Sequence, residues 1–178
     1  MPIFFVAAGY TYRVKEGESY GTFLLKKAKR LLIPYFGTSA FLWVFFWVKD
    51  CVLGGIPGDL KLASLFGILY SRNQMWRSGY AGSNPVLMDI LNSPLWFLTA
   101  LFLVYAWYGL ISKVKKKYWL LGGGLAVSVI WHYATPLLLP WSLEAVPYFT
   151  VFFAAGEKLK EWGGVKTLTN DIRLGIAC

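Results

Sequence analysis

From Leu31 to Val48 the chain carries no charged side chain, and ten of those residues are Leu, Ile, Val or Phe, each favoured at a bilayer centre by roughly 0.3–0.6 kcal/mol. The run is long enough to cross most of a ~30 Å hydrocarbon core, so it predicts a membrane-spanning helix over 31–48. Pro34 is expected in its first turn, where a missing N–H is tolerated. Three more apolar stretches predict further spans: Pro94 to Ser112, Tyr118 to about Ala134, and Trp141 to Leu159, the last interrupted by Pro147. Gly122, Gly123 and Gly124 in the third are expected to allow close helix approach. Residues 1–12 are apolar but cover only ~18 Å, which predicts a truncated or re-entrant helix. Between the first two full spans, Leu62, Leu65, Phe66 and Leu69 repeat at helical spacing. With Asp59 as N-cap, they predict a short amphipathic helix on the membrane surface.

The fold class that follows is all-α: one polytopic membrane bundle over residues 1–178. Charge then orients it. Residues 13–30 hold six Lys or Arg against two Glu, and Lys113, Lys115, Lys116 and Lys117 follow the second full span. Basic residues are retained on the cytoplasmic side during insertion, so 13–30, 113–117 and the C-terminal tail are expected to be cytoplasmic loops. The 49–93 segment is expected outside, with Arg72 and Arg77 as solvated loop charges, and the protein in the inner (plasma) membrane. Run backward, this alternation expects at least one further helix ahead of Met1.

Composition agrees and excludes a class. Hydrophobic residues make up 57% and charged residues 15% of the chain, whereas soluble domains carry about 25% charged residues. The net charge of +9 is read as orientation signal, not as a nucleic-acid interface, because the cations abut apolar runs and no soluble module displays them. Cys51 and Cys178 match no metal or redox spacing, and no Gly-rich phosphate loop, metal cluster or Ser/His/Asp arrangement stands out.

Single residues offer few chemical candidates. His132 is the sole histidine; as an intramembrane ionisable group it is a catalytic candidate, yet Trp131 and Tyr133 beside it favour an interfacial reading. Glu144 is read as a carboxylate at a helix N-terminus, favoured by the dipole. Trp96 is either an interfacial anchor or part of an acceptor-lining wall. Lys27 and Arg30 share one helical face, serving topology, an anion, or both.

MPIFF at the start, Gly9–Tyr10, FLLKKAKRLLIPY at 23–35 and PLWFLTALF at 94–102 together resemble the acyltransferase-3 membrane family, most closely its branch of fucose 4-O-acetylase and related sugar O-acetyltransferases. The resemblance implies transfer of an acyl group, usually acetyl, from acyl-CoA as donor substrate to a hydroxyl of a sugar or envelope glycan, without a resident cofactor or metal. It also implies that the acyl-transfer base is a histidine ahead of Met1, so that no catalytic residue is assigned within this chain. The family's second basic motif matches Lys27 and Arg30, with Lys where Arg is commoner, and these become the donor-binding candidates. The rival reading is a small transporter subunit or membrane scaffold without catalysis, for which interrupted helices in matching halves would be expected.

Overall fold

The computed structural model describes residues 2–13, 17–53, 58–72 and 95–163. All regular structure among them is helical: α1 (Pro2–Tyr10), α2 (Tyr20–Leu53), α3 (Gly58–Tyr70), α4 (Trp96–Ile111), α5 (Lys117–Ala134) and α6 (Val146–Glu161), the last entered through a 3-10 segment, Pro140–Ala145. One of these, α2, is long and apolar enough to cross a membrane. Its 34 residues measure about 51 Å, against a hydrocarbon core of ~30 Å.

Two expectations about α2 are corrected. The basic cluster Lys26–Arg30 does not lie in a loop: helix begins at Tyr20 and runs through it unbroken. Pro34 therefore sits inside the helix, where its nitrogen cannot donate to the carbonyl of Arg30. The Thr38 hydroxyl bonds back to the Pro34 carbonyl at 2.6 Å and that of Ser39 to the Tyr35 carbonyl at 2.7 Å, so the polar side chains of this stretch are satisfied by their own turn.

The other predicted spans are present as helices, α4 and α6 shorter than expected and α5 one residue longer. α4 and α6 have 16 residues each, about 24 Å, and α5 has 18. Pro147 does not interrupt α6; it lies in its first turn, where a fixed φ and an absent N–H suit a helix start. Residues 141–145 instead form a tight approach, with Trp141 (φ 56°) and Ser142 (φ 59°) in the left-handed region. The amphipathic segment is the helix α3, but it starts at Gly58, one residue ahead of the expected cap Asp59. It docks on the bundle: the Tyr35 hydroxyl of α2 donates to the Ile68 carbonyl at 2.9 Å, and the Trp141 indole to that of Leu69 at 2.7 Å. Leu65, Phe66 and Leu69 remain exposed.

Close packing is concentrated where α1 crosses α6, the most extensive helix pair. A Cβ at Gly9 would stand 1.9 Å from the Phe153 carbonyl oxygen, and one at Gly156 2.0 Å from that of Val6. Two glycines thus let the backbones touch. The expected role of Gly122 and Gly123 is not found, since a Cβ at either meets nothing within 4 Å; Gly124 alone makes an approach, to Pro147. Beside the crossing lies the core, where the Tyr12 ring stands edge-on to Phe23, Tyr108 and Phe153 at 5.9, 5.5 and 5.3 Å between centroids.

Candidate functional site

A cleft of about 1000 Å³ opens at the end of the bundle where α2 begins and α4 and α6 end, and its wall includes Tyr12, Arg13, Lys26, Lys27, Arg30 and Lys160. Both basic residues singled out from the sequence, Lys27 and Arg30, face it. Their i, i+3 spacing puts them on one side of α2, and Arg13 and Lys160 come from the start of the α1–α2 connection and from the last turn of α6. Five cations line the cleft against two carboxylates, Glu18 and Glu157, a balance of +3. Both carboxylates are engaged: Glu18 pairs with Lys26 at 2.6 Å, while Glu157 accepts from the Tyr108 hydroxyl and pairs with Lys117 at 3.4 Å.

Local packing fixes the cations. The ammonium of Lys27 lies 4.0 Å from the centroid of the Tyr105 ring and 5.6 Å from that of Phe23, contacts that stabilise a cation by about 0.5–2 kcal/mol depending on desolvation. Lys160 donates to the Tyr12 carbonyl at 2.8 Å and so holds the chain as it leaves α1. The Tyr12 hydroxyl is buried and has no hydrogen-bond partner. Burial pushes this phenol above its usual range, the nearby Ser112 hydroxyl acting against the shift and the Glu157 carboxylate with it, so Tyr12 is kept as a neutral O–H donor.

A second cavity, about 480 Å³, lies among α5, the 3-10 segment and the end of α3, lined by residues that include Arg72, Ser128, His132, Tyr133, Glu144 and Tyr148. His132 is roughly 22 Å along α5 from Lys117, so the two cavities sit at opposite ends of that helix. Arg72 is not a solvated loop charge: its guanidinium pairs with Glu144, both side chains being largely buried. Glu144 also accepts from the Leu139 amide at 3.1 Å and precedes α6 instead of capping it by charge alone. His132 thus has a carboxylate in its cavity that no sequence neighbour supplied. Arg77 lies outside the described residues. Trp96, at the start of α4, lies 6.1 Å from the Phe149 ring and lines neither cavity.

One protein-family model, described as an acyltransferase domain, matches residues 1–170. The chain belongs to the acyltransferase-3 family. No curated protein and no solved structure matches it. Membership makes this a membrane-associated acyltransferase-family chain, matched at 170 of the 178 residues given.

Sequence reasoning missed Glu157, Tyr12 and the Arg72–Glu144 pair. Glu157 stands in a tail-end run with Lys158 and Lys160 and looks like part of the charge rule. Arg72 and Glu144 are 72 residues apart, and nothing local marks either as the other's partner.

Proposed function

We propose that the protein is an O-acyltransferase that takes an acyl group, usually acetyl, from acyl-CoA at the basic cleft and passes it to a hydroxyl of a sugar or envelope glycan. In such a transfer the hydroxyl oxygen attacks the thioester carbonyl, the C–O bond forms as the C–S bond breaks, the hydroxyl proton is given up, and coenzyme A departs as its thiol. This chain's contribution is to hold the donor. The observation that carries the reading is the +3 cleft, in which both carboxylates are already occupied and Lys27 and Arg30 face the same space. A polyphosphate-bearing ligand supplies the acceptor oxygens these groups lack. On this reading α4, α5 and α6 lie in the bilayer with α2, the cleft opens to the cytoplasm of a plasma-membrane protein, and acyl-CoA is a substrate that comes and goes.

Titration of coenzyme A into the chain in lipid nanodiscs tests this. Each charge-assisted contact is worth about 1.5–3 kcal/mol, roughly ten- to a hundredfold in affinity. Arg30→Gln is expected to weaken coenzyme A by that factor while Lys26, Lys27 and Lys29 preserve insertion. An unchanged affinity in a correctly inserted Arg30→Gln protein removes the donor from this cleft.

A further inference from the structure

Outside the two cavities, a dense run of charge lies where α4 turns into α5. Lys113, Lys115 and Lys116 in this turn are exposed. The ion pairs found beside it among the described residues engage their neighbours instead, Lys117 with Glu157 at 3.4 Å and Lys158 with Glu161 at 2.6 Å. Lys113 rests 5.7 Å from the Tyr20 ring of α2. Lys115 and Lys116 are thus left without a carboxylate or a ring among the described residues.

Aromatic side chains surround these lysines. The Tyr118 ring lies between two ammonium groups, 5.4 Å from that of Lys117 and 5.7 Å from that of Lys158, so the start of α5 and the end of α6 form one surface. On it Trp119 is 82% exposed and Trp162, just past α6, 80% exposed. Indoles beside lysines suit neither bulk water nor hydrocarbon. An indole is favoured at the headgroup level of a bilayer, where its apolar body and its N–H are both accommodated, and a lysine ammonium reaches the same level while its stem stays apolar. Depth agrees. Beyond Trp119, Leu120, Val127, Val129 and Ile130 of α5 are exposed apolar side chains, as suits a helix against lipid chains. Lys115 and Lys116 precede Trp119 by roughly 5–6 Å of helix rise, and the headgroup layer is about 5–8 Å deep.

We infer that the α4–α5 turn binds the headgroup of an anionic phospholipid, the Lys115 and Lys116 ammonium groups donating to its phosphate oxygens while its upper chain lies along Trp119. The occupant follows from charge. On this surface five lysines, Lys113, Lys115, Lys116, Lys117 and Lys158, stand against two glutamates, Glu157 and Glu161, a balance of +3. Polybasic segments beside an apolar helix attract acidic headgroups; a zwitterionic headgroup carries its own cation and gains less. A role in orientation alone would be served by the charges and has no use for the exposed indoles. The inference rests on α5 lying in the bilayer, as proposed above, and not on acyl transfer.

Native mass spectrometry of the chain in a neutral detergent, titrated with phosphatidylglycerol or with phosphatidylcholine of the same acyl chains, tests the site. Phosphatidylglycerol is expected to be held about fivefold or more tightly than phosphatidylcholine. Lys115→Gln and Lys116→Gln are each expected to weaken it by about fivefold, the effect of one lysine at an acidic membrane surface, with phosphatidylcholine unchanged. Lys49→Gln at the far end of α2 and Arg30→Gln in the basic cleft remove the same charge elsewhere and are expected to leave phosphatidylglycerol as tightly held. All four side chains are exposed, so folding does not depend on them. Equal affinity for the two lipids, or an equal loss in Lys49→Gln or Arg30→Gln, overturns the proposal, the first two by leaving net charge or detergent alone and the third by moving the lipid into the cleft. Equally tight binding of glycerol phosphate, which lacks the chains, also overturns it. Quenching of tryptophan emission by brominated acyl chains in nanodiscs checks the depth of α5 separately: Trp119→Phe is expected to reduce the quenching, and an unchanged signal removes the bilayer placement on which the site rests.

Discussion

Replacing Gly156 by Ala adds one methyl group whose carbon would stand 2.0 Å from the Val6 carbonyl oxygen and 2.9 Å from the Tyr10 amide nitrogen. Both are backbone atoms of α1 and cannot swing aside. Restoring a tolerable contact of 3.0 Å requires α1 and α6 to part by about 1 Å, and a gap of that size forfeits a quarter to a half of the dispersion energy of each contact it opens. Those contacts include the Phe5 ring stacked on Phe149 at 4.3 Å and Phe153, which is fully buried. Overpacking of this kind costs about 1–3 kcal/mol, and the rigid neighbours argue for the upper end. Alanine's better helix propensity returns about 1 kcal/mol, leaving a net loss of about 2 kcal/mol. Gly122→Ala supplies the control, because its Cβ meets nothing and only the propensity gain remains. Thermal unfolding in nanodiscs, followed by tryptophan emission, is expected to show Gly156→Ala melting about 4–8 °C below the parent and Gly122→Ala at or above it. Equal stability of parent and Gly156→Ala, or a matching loss in Gly122→Ala, refutes the account of the crossing.

If α2 is oriented by its basic end, Cys51 lies about 32 Å beyond Arg30 on the external side, and it is exposed. A membrane-impermeant maleimide is then expected to label a Cys178→Ser protein in intact cells, and labelling only after permeabilisation reverses the orientation. Because Arg grips phosphate bidentately and Lys acts as a point charge, Arg30→Lys should weaken coenzyme A more than Lys27→Arg does; the opposite ranking removes the bidentate contact. Glu157→Gln deletes a half-buried partner of Lys117 while leaving Tyr108 an acceptor. It is expected to lower stability by no more than about 1 kcal/mol after solvent screening and to tighten coenzyme A, and weaker coenzyme binding in a folded Glu157→Gln protein contradicts the electrostatic reading of the cleft.

What the sequence made legible was whatever depends on runs and periods. The apolar stretch 31–48, the helical repeat Leu62–Leu65–Phe66–Leu69 and the neighbouring Lys27 and Arg30 are local signals, and each corresponds to a helix or a helix face in the structure. Boundaries were less legible where two signals compete. Lys26–Arg30 looked like loop because charge marks membrane edges, but Lys and Arg are also good helix formers, and continuity with the span won. Glycines misled in the same way: the triple at 122–124 is conspicuous, whereas the close crossing is made by Gly9 and Gly156, 147 positions apart in sequence. A pair brought together only by tertiary structure leaves no period to read. Arg72 with Glu144 is the same case in the polar residues, and it is why the sequence offers His132 no neighbouring carboxylate.

The height at which α2 and α4 meet bears on whether the basic cluster only orients the chain. The Tyr20 hydroxyl donates to the Ala106 carbonyl at 2.7 Å, and a Cβ at Gly109 would touch the Tyr20 and Phe23 rings. The two helices are therefore antiparallel, with Tyr20 and Phe23 already beside the last turns of α4. Lys27, one turn further along α2, rests on the Tyr105 ring, level with the apolar body of α4 and above its lysine-rich end. A charge that served only to stop translocation would gain by lying below that end, in water, where nothing needs to compensate it. Set at the level of Tyr105, it loses hydration, recovers part of that from the ring, and is left beside Arg30, a like charge on the same face. A partly desolvated Lys27 crowded by the exposed Arg30 at the mouth of a cleft is stabilised by an anion that enters it. That argument does not depend on family resemblance, and it supports the proposal made above that the cleft takes a polyanion such as the phosphates of coenzyme A.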